Sequence, residues 1–392
     1  MNAAFEEVYA GCRLLEGVGT LEAFLVNSYL RPGISAGEMA GRLQIPVPVC
    51  SAIKNECKKR GLLEIFGTGV NLTKAAEDIV RGDFGYADVD ASKLLAALDK
   101  TELPLEMFGE ALAGIESAYA SRPQADVTLD QSLCTAETGL RRALLMLRTG
   151  GLIGKKILFI GDDDMTSVAV SFALRGLLAK TAGMNKIPAE ITVMDLDERV
   201  LSNISDVSLR EGFGIETVSY DAKLPLNSLR EGAYDAVATD PPYTLPGLSL
   251  FLSRAACALK KGPGYFAYLS FAKKEPAARL AAQRVIIGAG FVMTQLLSRF
   301  NEYHGASILG GASDMIVLSS TDETKPVCSY SSEMKLYTNE QNRSVRTYQC
   351  KSCRAKLAVG HGNAHSNVEA LKKAGCPNCG SKVFLLKERT LI

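Results

Sequence analysis

Four acidic segments lie in the middle of the chain, and three of them follow an apolar run that is typical of a buried strand. The segments are Asp162-Asp163-Asp164 after Gly161, Asp195-Leu196-Asp197, Asp221, and Asp240-Pro241-Pro242-Tyr243. In open parallel sheets, ligands bind outside the carboxyl ends of the strands. The pattern therefore predicts one carboxylate-rich site that attracts positively charged ligands.

The second and third segments are candidates for binding a nucleoside. A carboxylate at the end of the second strand of such a sheet accepts hydrogen bonds from both ribose hydroxyls, which makes Asp195 or Asp197 the candidate. Asp221 stands where class I methyltransferases place the acid that binds adenine. Both assignments rest on analogy with that fold.

The fourth segment resembles the motif of amino-group methyltransferases, whose acceptor atom is a nitrogen. Its prolines stiffen the loop and orient backbone carbonyls, and Pro241 has no N–H of its own. The Asp240 carboxylate can then hold an amine while the Tyr243 ring packs against it. The alternative is an ordinary Asp-Pro turn after a strand.

The triplet Asp162–Asp164 indicates which form of the donor the site would bind. S-adenosylmethionine carries a carboxylate that three consecutive acids would repel, whereas a decarboxylated donor presents only an ammonium and a sulfonium. An acidic pocket suits that donor and a cationic polyamine acceptor alike. The alternative is that the acids cap the next helix and bind its N-terminal amides.

The elements that must position these residues alternate between apolar strands and helices. Strands over 155–161, 191–197, 234–240 and 265–270 are separated by helical segments such as 166–180 and 248–260. This alternation predicts an α/β fold, with a Rossmann-like, mostly parallel sheet of the class I methyltransferase type.

The N-terminal stretch has the order helix, turn, helix, hairpin, which is the pattern of a winged helix. Lys54, Lys58, Lys59 and Arg60 on its second helix suggest DNA binding. The favoured interpretation is a structural or dimerising domain, with the lysines on a solvated face. We therefore expect a homodimer, and nucleic acid is a possible but not favoured partner.

Four of the ten cysteines form two CxxC pairs near the C-terminus. They are Cys350, Cys353, Cys376 and Cys379, and 22 residues separate the pairs. This spacing predicts a zinc ribbon in which Zn²⁺ is structural, because four thiolates leave no open coordination position. A redox role is the alternative, but no thioredoxin pattern accompanies the pairs. His361 and His365 between the pairs are not needed as ligands.

Composition and length complete the predicted organisation. The 392 residues have a formal net charge of +1, which excludes a global basic field. No apolar run reaches the roughly 18 residues of a membrane span, and the acidic N-terminus does not resemble a signal peptide, so we expect a cytoplasmic protein. The predicted parts are a winged-helix-like domain (1–85), a helical connector (86–150), the catalytic domain (151–320), a linker (321–345) and the ribbon (346–392).

Three segments together resemble the branched-chain polyamine synthases, the N4-bis(aminopropyl)spermidine synthases. They are Gly161-Asp-Asp-Asp-Met-Thr-Ser167, Asp240-Pro-Pro-Tyr-Thr244, and Asp130-Gln131 followed by Thr135-Ala-Glu-Thr138 and Arg141-Arg142. The resemblance covers about residues 30–320. It implies transfer of the aminopropyl group of decarboxylated S-adenosylmethionine, as co-substrate, to the secondary amine of spermidine, with release of methylthioadenosine.

The same resemblance implies roles for individual residues. Asp162 or Asp163 deprotonates the acceptor amine, and the sequence does not separate the two. Substrate contacts fall to Asp164, Asp240, Pro241, Tyr243 and Gln131, and donor contacts to Gly161, Asp195, Asp197 and Asp221. His304 is a further candidate base, with a surface-loop histidine as the favoured alternative. The alternative functions are an S-adenosylmethionine-dependent amino methyltransferase acting on nucleic acid or protein, and a non-catalytic ligand sensor.

Overall fold

A computed structural model describes residues 3–66, 69–179, 186–304, 311–328, 334–341, 344–360, 362–365 and 367–391. The chain divides into two compact units. The first contains residues 1–127 and 131–334, and the second contains residues 128–130 and 335–392. The domain boundaries proposed from the sequence at 85, 150 and 320 stay predictions.

The first unit begins with helices and a small sheet. Its elements are α1 (Ala3–Cys12), α2 (Val18–Leu30), β1 (Ile34–Ser35), α3 (Ala36–Leu43), α4 (Val47–Lys59), β2 (Leu63–Phe66) and β3 (Gly69–Leu72). Ser35 caps α3 by accepting a hydrogen bond from the Glu38 N–H, as its spacing predicts. The strands form an antiparallel sheet in the order β1-β3-β2. Helix, turn, helix and hairpin thus follow in the predicted order, and the winged-helix assignment itself stays a prediction.

Four helices connect this part to the central sheet. They are α5 (Lys74–Asp78), α6 (Ala91–Leu98), α7 (Gly109–Tyr119) and α8 (Ala136–Arg148). Thr135 caps α8 through a hydrogen bond from the Thr138 N–H. Nine of the thirteen residues of α8 are buried, and they include an arginine, Arg142, which therefore lies inside the protein.

The central sheet has seven strands. In chain order the elements are β4 (Lys156–Ile160), α9 (Thr166–Arg175), β5 (Glu190–Asp195), α10 (Glu198–Glu211), β6 (Glu216–Ser219), β7 (Ala236–Thr239), α11 (Leu245–Ala258), β8 (Phe266–Phe271), α12 (Pro276–Gly288), β9 (Val292–Glu302) and β10 (Ala312–Ser319). The strand order is β6-β5-β4-β7-β8-β10-β9. The first five strands pair in parallel, and β10 pairs antiparallel with β8 and β9.

The connections explain why the acidic segments meet. From β4 the chain runs outward through β5 to β6, and it then returns to β7 on the other side of β4. The carboxyl ends of β4 and β7 therefore flank the point where the strand order reverses, and ligands of such sheets bind there. Asp162–Asp164 follow β4 and Asp240 follows β7.

The predicted α/β fold with a mostly parallel, Rossmann-like sheet is confirmed. Helices α9 and α11 end earlier than expected, at Arg175 and Ala258. The antiparallel strands β9 and β10 were not predicted. In β9 the burial alternates along most of its length, which is the pattern of a strand with one face covered, and it is less evident in sequence than the fully buried run of β4.

The second unit is small. It contains α13 (Thr338–Gln341), β11 (Ser344–Cys350), β12 (Lys356–Gly360), α14 (Val368–Ala374) and β13 (Phe384–Leu391). The strands form an antiparallel sheet in the order β12-β11-β13. Tyr348, Val359 and Leu371 form its small hydrophobic core.

No helix among the described residues is both long and apolar enough to cross a bilayer. The predicted cytoplasmic location and the predicted homodimer stay predictions.

Candidate functional site

Asp162 satisfies the amides that begin helix α9. Its carboxylate accepts hydrogen bonds from the N–H groups of Thr166 (2.7 Å) and Ser167 (3.1 Å). These donors belong to the first turn of the helix, which leaves its amides without internal partners. Asp162 is buried, and burial raises the pKa of its carboxyl to about 8. The capping alternative raised from the sequence therefore describes this residue.

Asp164 and Asp240 share one buried cation, although they follow different strands. The Arg142 guanidinium donates to Asp164 Oδ2 at 2.7 Å through one terminal nitrogen and to Asp240 Oδ2 at 3.0 Å through the other. Asp164 also accepts a hydrogen bond from the Cys134 N–H. Arg142 is 4% exposed, so its charge is held by these partners rather than by water.

Two tyrosines complete the surroundings of Asp240. The Tyr303 hydroxyl donates to Asp240 Oδ2 at 2.7 Å, and it lies 3.0 Å from the Tyr243 hydroxyl. The Tyr243 ring packs edge-on against Phe271, with ring centroids 5.5 Å apart. The Lys274 ammonium lies 5.9 Å from the centroid of the Tyr243 ring, so this ring already accepts a cation against its face.

Asp163 is the acid of the triplet that neither binds the first amides of α9 nor pairs with Arg142. Its carboxylate accepts a hydrogen bond from the Ser132 N–H at 3.2 Å. Among the described residues, no lysine, arginine or histidine forms an ion pair with it. Asp163 is partly exposed, whereas its two neighbours are buried.

Burial and neighbouring negative charges both raise the pKa of Asp163 and of Asp240. Burial, with Asp164, Asp195 and Asp240 nearby, holds the pKa of Asp163 well above its ordinary value. Burial also raises the pKa of Asp240, and the Arg142 charge opposes this rise. One buried guanidinium offsets two carboxylates, so the site retains excess negative charge when Asp163 is ionised. A bound cation would relieve that excess.

Asp195, which is predicted to bind the donor substrate, is held in place by backbone N–H groups. Its carboxylate accepts hydrogen bonds from the N–H groups of Asp162 (2.7 Å) and Asp197 (2.8 Å). Burial raises the pKa of Asp195. A carboxylate has about four lone-pair positions, so two remain for ligand hydroxyls.

Asp197 and Gln131 have local partners. Asp197 caps α10 and forms an ion pair with Arg199 at 2.6 Å, and the hydrogen bonds from Arg199 lower the pKa of Asp197. Gln131 donates to Asp197 Oδ2 at 3.1 Å and accepts from the Asp126 N–H. These contacts tie the segment before α8 to the edge of the sheet, and the predicted ligand roles of both residues stay predictions.

The remaining predicted residues lie at the same edge or on a nearby loop. Gly161 has φ +70°, which favours glycine, and it permits the turn from β4 into the triplet. Asp221 accepts a hydrogen bond from the Lys223 N–H at 2.8 Å. Pro241 is buried beside Asp240. The His304 side chain is exposed, which agrees with the favoured surface-loop interpretation.

Sequence reasoning gave no role to Arg142 or Tyr303. Arg142 stood in a segment that contributed to the family resemblance, and Tyr303 stood beside the candidate His304. A buried arginine requires acidic partners, but its partners are 22 and 98 residues away along the chain. No local spacing could have identified them.

The four cysteines of the CxxC pairs meet in the second unit. Their sulfur atoms all lie within 4.8 Å of one another. The Sγ atoms are 3.6 Å apart between Cys350 and Cys379 and 3.5 Å apart between Cys353 and Cys376. This cluster could bind a metal ion. His365 lies in the intervening segment, and His361 is outside the described residues.

Comparison with known proteins gives consistent matches. The family described as "Branched-chain polyamine synthase A C-terminal domain" matches residues 111–348. The uncharacterised protein MJ0675 of Methanocaldococcus jannaschii is 31% identical over 380 residues, which cover 96% of this chain and 90% of the relative. The N(4)-bis(aminopropyl)spermidine synthase of Thermococcus kodakarensis is 28% identical over 264 residues, which cover 66% of this chain and 70% of the relative.

A solved structure has the same fold. The C9 mutein of the branched-chain polyamine synthase of Thermus thermophilus, in complex with N4-aminopropylspermidine and 5'-methylthioadenosine, matches with a TM-score of 0.51 and 23% identity. The match covers 86% of this chain and 96% of that one. The family match spans more than half of the sequence and contains the triplet and the segment after β7. The chain therefore belongs to the branched-chain polyamine synthase family.

Proposed function

We propose that this protein transfers the aminopropyl group of decarboxylated S-adenosylmethionine to the secondary amine of spermidine or a related polyamine. The observation that carries the proposal is the Asp163 carboxylate, which lies beside an Arg142-bridged pair of acids and has no cationic partner of its own among the described residues. Family membership supports the same reaction, since relatives are named N(4)-bis(aminopropyl)spermidine synthases.

The acceptor binds between Asp163 and the Asp240 segment. Two of the three nitrogens of spermidine are primary ammoniums at neutral pH, and each requires a carboxylate or an aromatic face. Asp240 supplies such a contact at one end. Asp163 receives the central nitrogen.

Asp163 acts as the general base. A protonated amine has no lone pair, so Asp163 takes the proton as the nitrogen attacks the methylene carbon next to the sulfonium. The new N–C bond forms while the C–S bond breaks, and its electron pair returns to sulfur, which leaves methylthioadenosine. The raised pKa of Asp163 makes its carboxylate a better proton acceptor than an exposed aspartate.

The same base serves a second transfer. After one transfer the acceptor nitrogen is a tertiary amine that is protonated in water. Removal of that proton frees the lone pair for a second attack, and the product is a quaternary ammonium. We assign the base to Asp163 rather than Asp162, because both oxygens of Asp162 bind helix amides.

The donor lies over the β4–β5 edge. Asp195 accepts the ribose hydroxyls through the oxygen positions that the backbone leaves open, and Asp221 contacts the adenine. The turn at Gly161 lets the backbone approach the donor. The donor sulfonium and terminal ammonium then face the acids instead of a like charge.

We also propose that the cysteine cluster holds Zn²⁺. Tetrahedral Zn–S bonds of about 2.3 Å place the sulfurs about 3.8 Å apart. The observed separations of 3.5 and 3.6 Å fit that geometry closely. Four thiolates close the coordination shell, so the ion supplies folding stability to the second unit and takes no part in the reaction.

One experiment separates aminopropyl transfer from methyl transfer. The purified protein is incubated with spermidine and either decarboxylated or intact S-adenosylmethionine, and the products are identified by mass spectrometry. We expect spermidine with one or two added aminopropyl groups, and methylthioadenosine, from the decarboxylated donor. Methyl transfer from the intact donor without an aminopropylated product would refute the proposal.

A further inference from the structure

We propose that the C-terminal segment of residues 335–392, here called the cysteine module, binds the phosphate backbone of nucleic acid. The inference goes beyond the proposed reaction. The cysteine module contains 11 Lys and Arg against three Asp and Glu, a formal charge of +8. The remaining 334 residues contain 33 against 40, a formal charge of −7. The overall charge of +1 conceals this separation.

The positive side chains are available to a ligand. Eight of them are exposed, and no ion pair within the described part of the cysteine module involves them. They are Lys351, Arg354, Lys356, Lys372, Lys373, Lys382, Lys387 and Arg389. A Zn²⁺ ion with four thiolates carries a formal charge of about −2, which would offset only a quarter of the excess. Metal binding alone does not explain so many cations.

One pair of arginines points to an anionic ligand. In the register of β11 and β13, Arg346 lies directly opposite Arg389, on the same face of the sheet. Like charges at directly opposed positions destabilise a sheet unless something lies between them. A phosphate group accepts hydrogen bonds from both guanidiniums at once, and arginine is well suited to such bidentate contacts.

The turns of the cysteine cluster add a second basic group. The Lys351 N–H donates to the Val383 carbonyl at 3.0 Å. This bond holds the first CxxC turn against the residue that precedes β13, the strand after the second CxxC turn. The backbone of Lys351 on the first turn is thus bonded to the residue after Lys382. Exposed cations from two segments of one small unit suit a ligand that carries a negative charge on every residue, as a nucleic-acid backbone does.

The cysteine module is also an addition to the family's core. The family match ends at residue 348, before Cys350. The alignment with MJ0675 covers 96% of this chain, so it must include most of the 58 residues of the module. The module is therefore shared within part of the family, and the reaction does not account for its charge. A synthase bound to nucleic acid would release its cationic product beside that polyanion.

The test measures binding by the full, metal-loaded chain. A fluorescent single-stranded RNA and a DNA duplex of equal length are titrated at salt concentrations between about 50 and 200 mM. We expect affinity to fall with salt, with a slope that reports the number of phosphates contacted. The double variant Arg346→Gln/Arg389→Gln should bind at least about tenfold more weakly and reduce the slope by about 1.5.

Three controls keep the test decisive. Arg346→Lys/Arg389→Lys retains the charge and should retain most of the binding, and metal content verifies that each variant is folded. Lys54→Gln/Lys58→Gln removes two cations from helix α4 of the first unit and should leave binding unchanged. Loss of binding in that variant would move the site to the first unit and overturn the proposal. Unchanged binding in Arg346→Gln/Arg389→Gln, or equal affinity for vesicles that contain phosphatidylserine, would also overturn it.

Discussion

The cysteine cluster of the second unit and the acidic edge of the first unit's sheet both gather several copies of one residue type. In the cluster the four cysteines have the same role, since each offers one sulfur to a common centre, although two are buried and two are exposed. At the acidic edge the carboxylates are not equivalent. Asp162 binds helix amides, Asp164 and Asp240 share Arg142, and Asp163 has no cationic partner among the described residues.

The two clusters differ in the groups that bind their side chains. The cysteines could bind one metal ion together, and this ligand role can be inferred from their spacing alone. The acids bind groups from both near and distant parts of the chain, and we propose that Asp163, which these groups leave without a cation, is the functional acid. Four variants test this contrast, from the largest expected effect to the smallest.

Cys376→Ser should remove the metal altogether. One thiolate of four is lost, and structural zinc sites contribute about 10–16 kcal/mol to folding, so the second unit should lose its metal and its folded state. Metal analysis and limited proteolysis measure both. Cys257→Ser, outside the cluster, should retain about one zinc per chain. Full metal content in Cys376→Ser would contradict the equivalence of the four ligands.

Among substitutions of the acids, Asp163→Asn should lower the reaction rate the most. Loss of a general base typically lowers a rate by about 10²–10⁴-fold. Methylthioadenosine release at saturating substrate measures the effect, and metal content should be unchanged. The matched control is Asp206→Asn, an exposed acid of α10, which should react at the wild-type rate. If Asp163→Asn retains that rate as well, the base is assigned wrongly.

Arg142→Met should destabilise the first unit by about 3–5 kcal/mol, because it leaves Asp164 and Asp240 buried without their shared cation. Chemical denaturation measures the loss. The adjacent Arg141 stacks on Phe300 with its guanidinium 4.8 Å from the ring centroid, so Arg141→Met should cost at most about 1 kcal/mol. Equal effects of the two substitutions would show that the bridge does not organise the site.

Asp162→Asn should have the smallest effect near pH 7. With its pKa raised to about 8, Asp162 is mostly protonated there, and asparagine retains an acceptor for the helix amides. The folded state of the wild type holds a proton that the unfolded state releases near pH 4, so wild-type stability falls as pH rises from about 4 to 8. The melting temperature of Asp162→Asn relative to wild type should therefore rise over that range and level off above it. A difference that is independent of pH would contradict the buried, protonated state.

The sequence was sufficient for some of these features and not for others. The apolar run of β4 followed by Gly161 and three acids predicted a strand end at the ligand-binding edge, and parallel pairing brought Asp240 to the same edge. The spacing of the CxxC pairs predicted the cysteine cluster. These features depend on residues near each other in sequence or on a regular topology.

The partners of the acids could not be predicted. Arg142 comes from a buried helix before β4, and Tyr303 directly follows β9, 63 residues after Asp240. Which of three consecutive aspartates reaches a ligand depends on the turn after Gly161 and on the amides of α9. Those are properties of the folded backbone.

The most direct test of the acidic edge is the affinity of the protein for two donors that differ by one carboxylate. Isothermal titration calorimetry with decarboxylated and with intact S-adenosylmethionine, at equal pH and salt, gives the ratio of the two Kd values. We expect the decarboxylated donor to bind at least about tenfold more tightly, a difference of about 1.4 kcal/mol. Equal or tighter binding of the intact donor would contradict a site whose negative charge is left for cations.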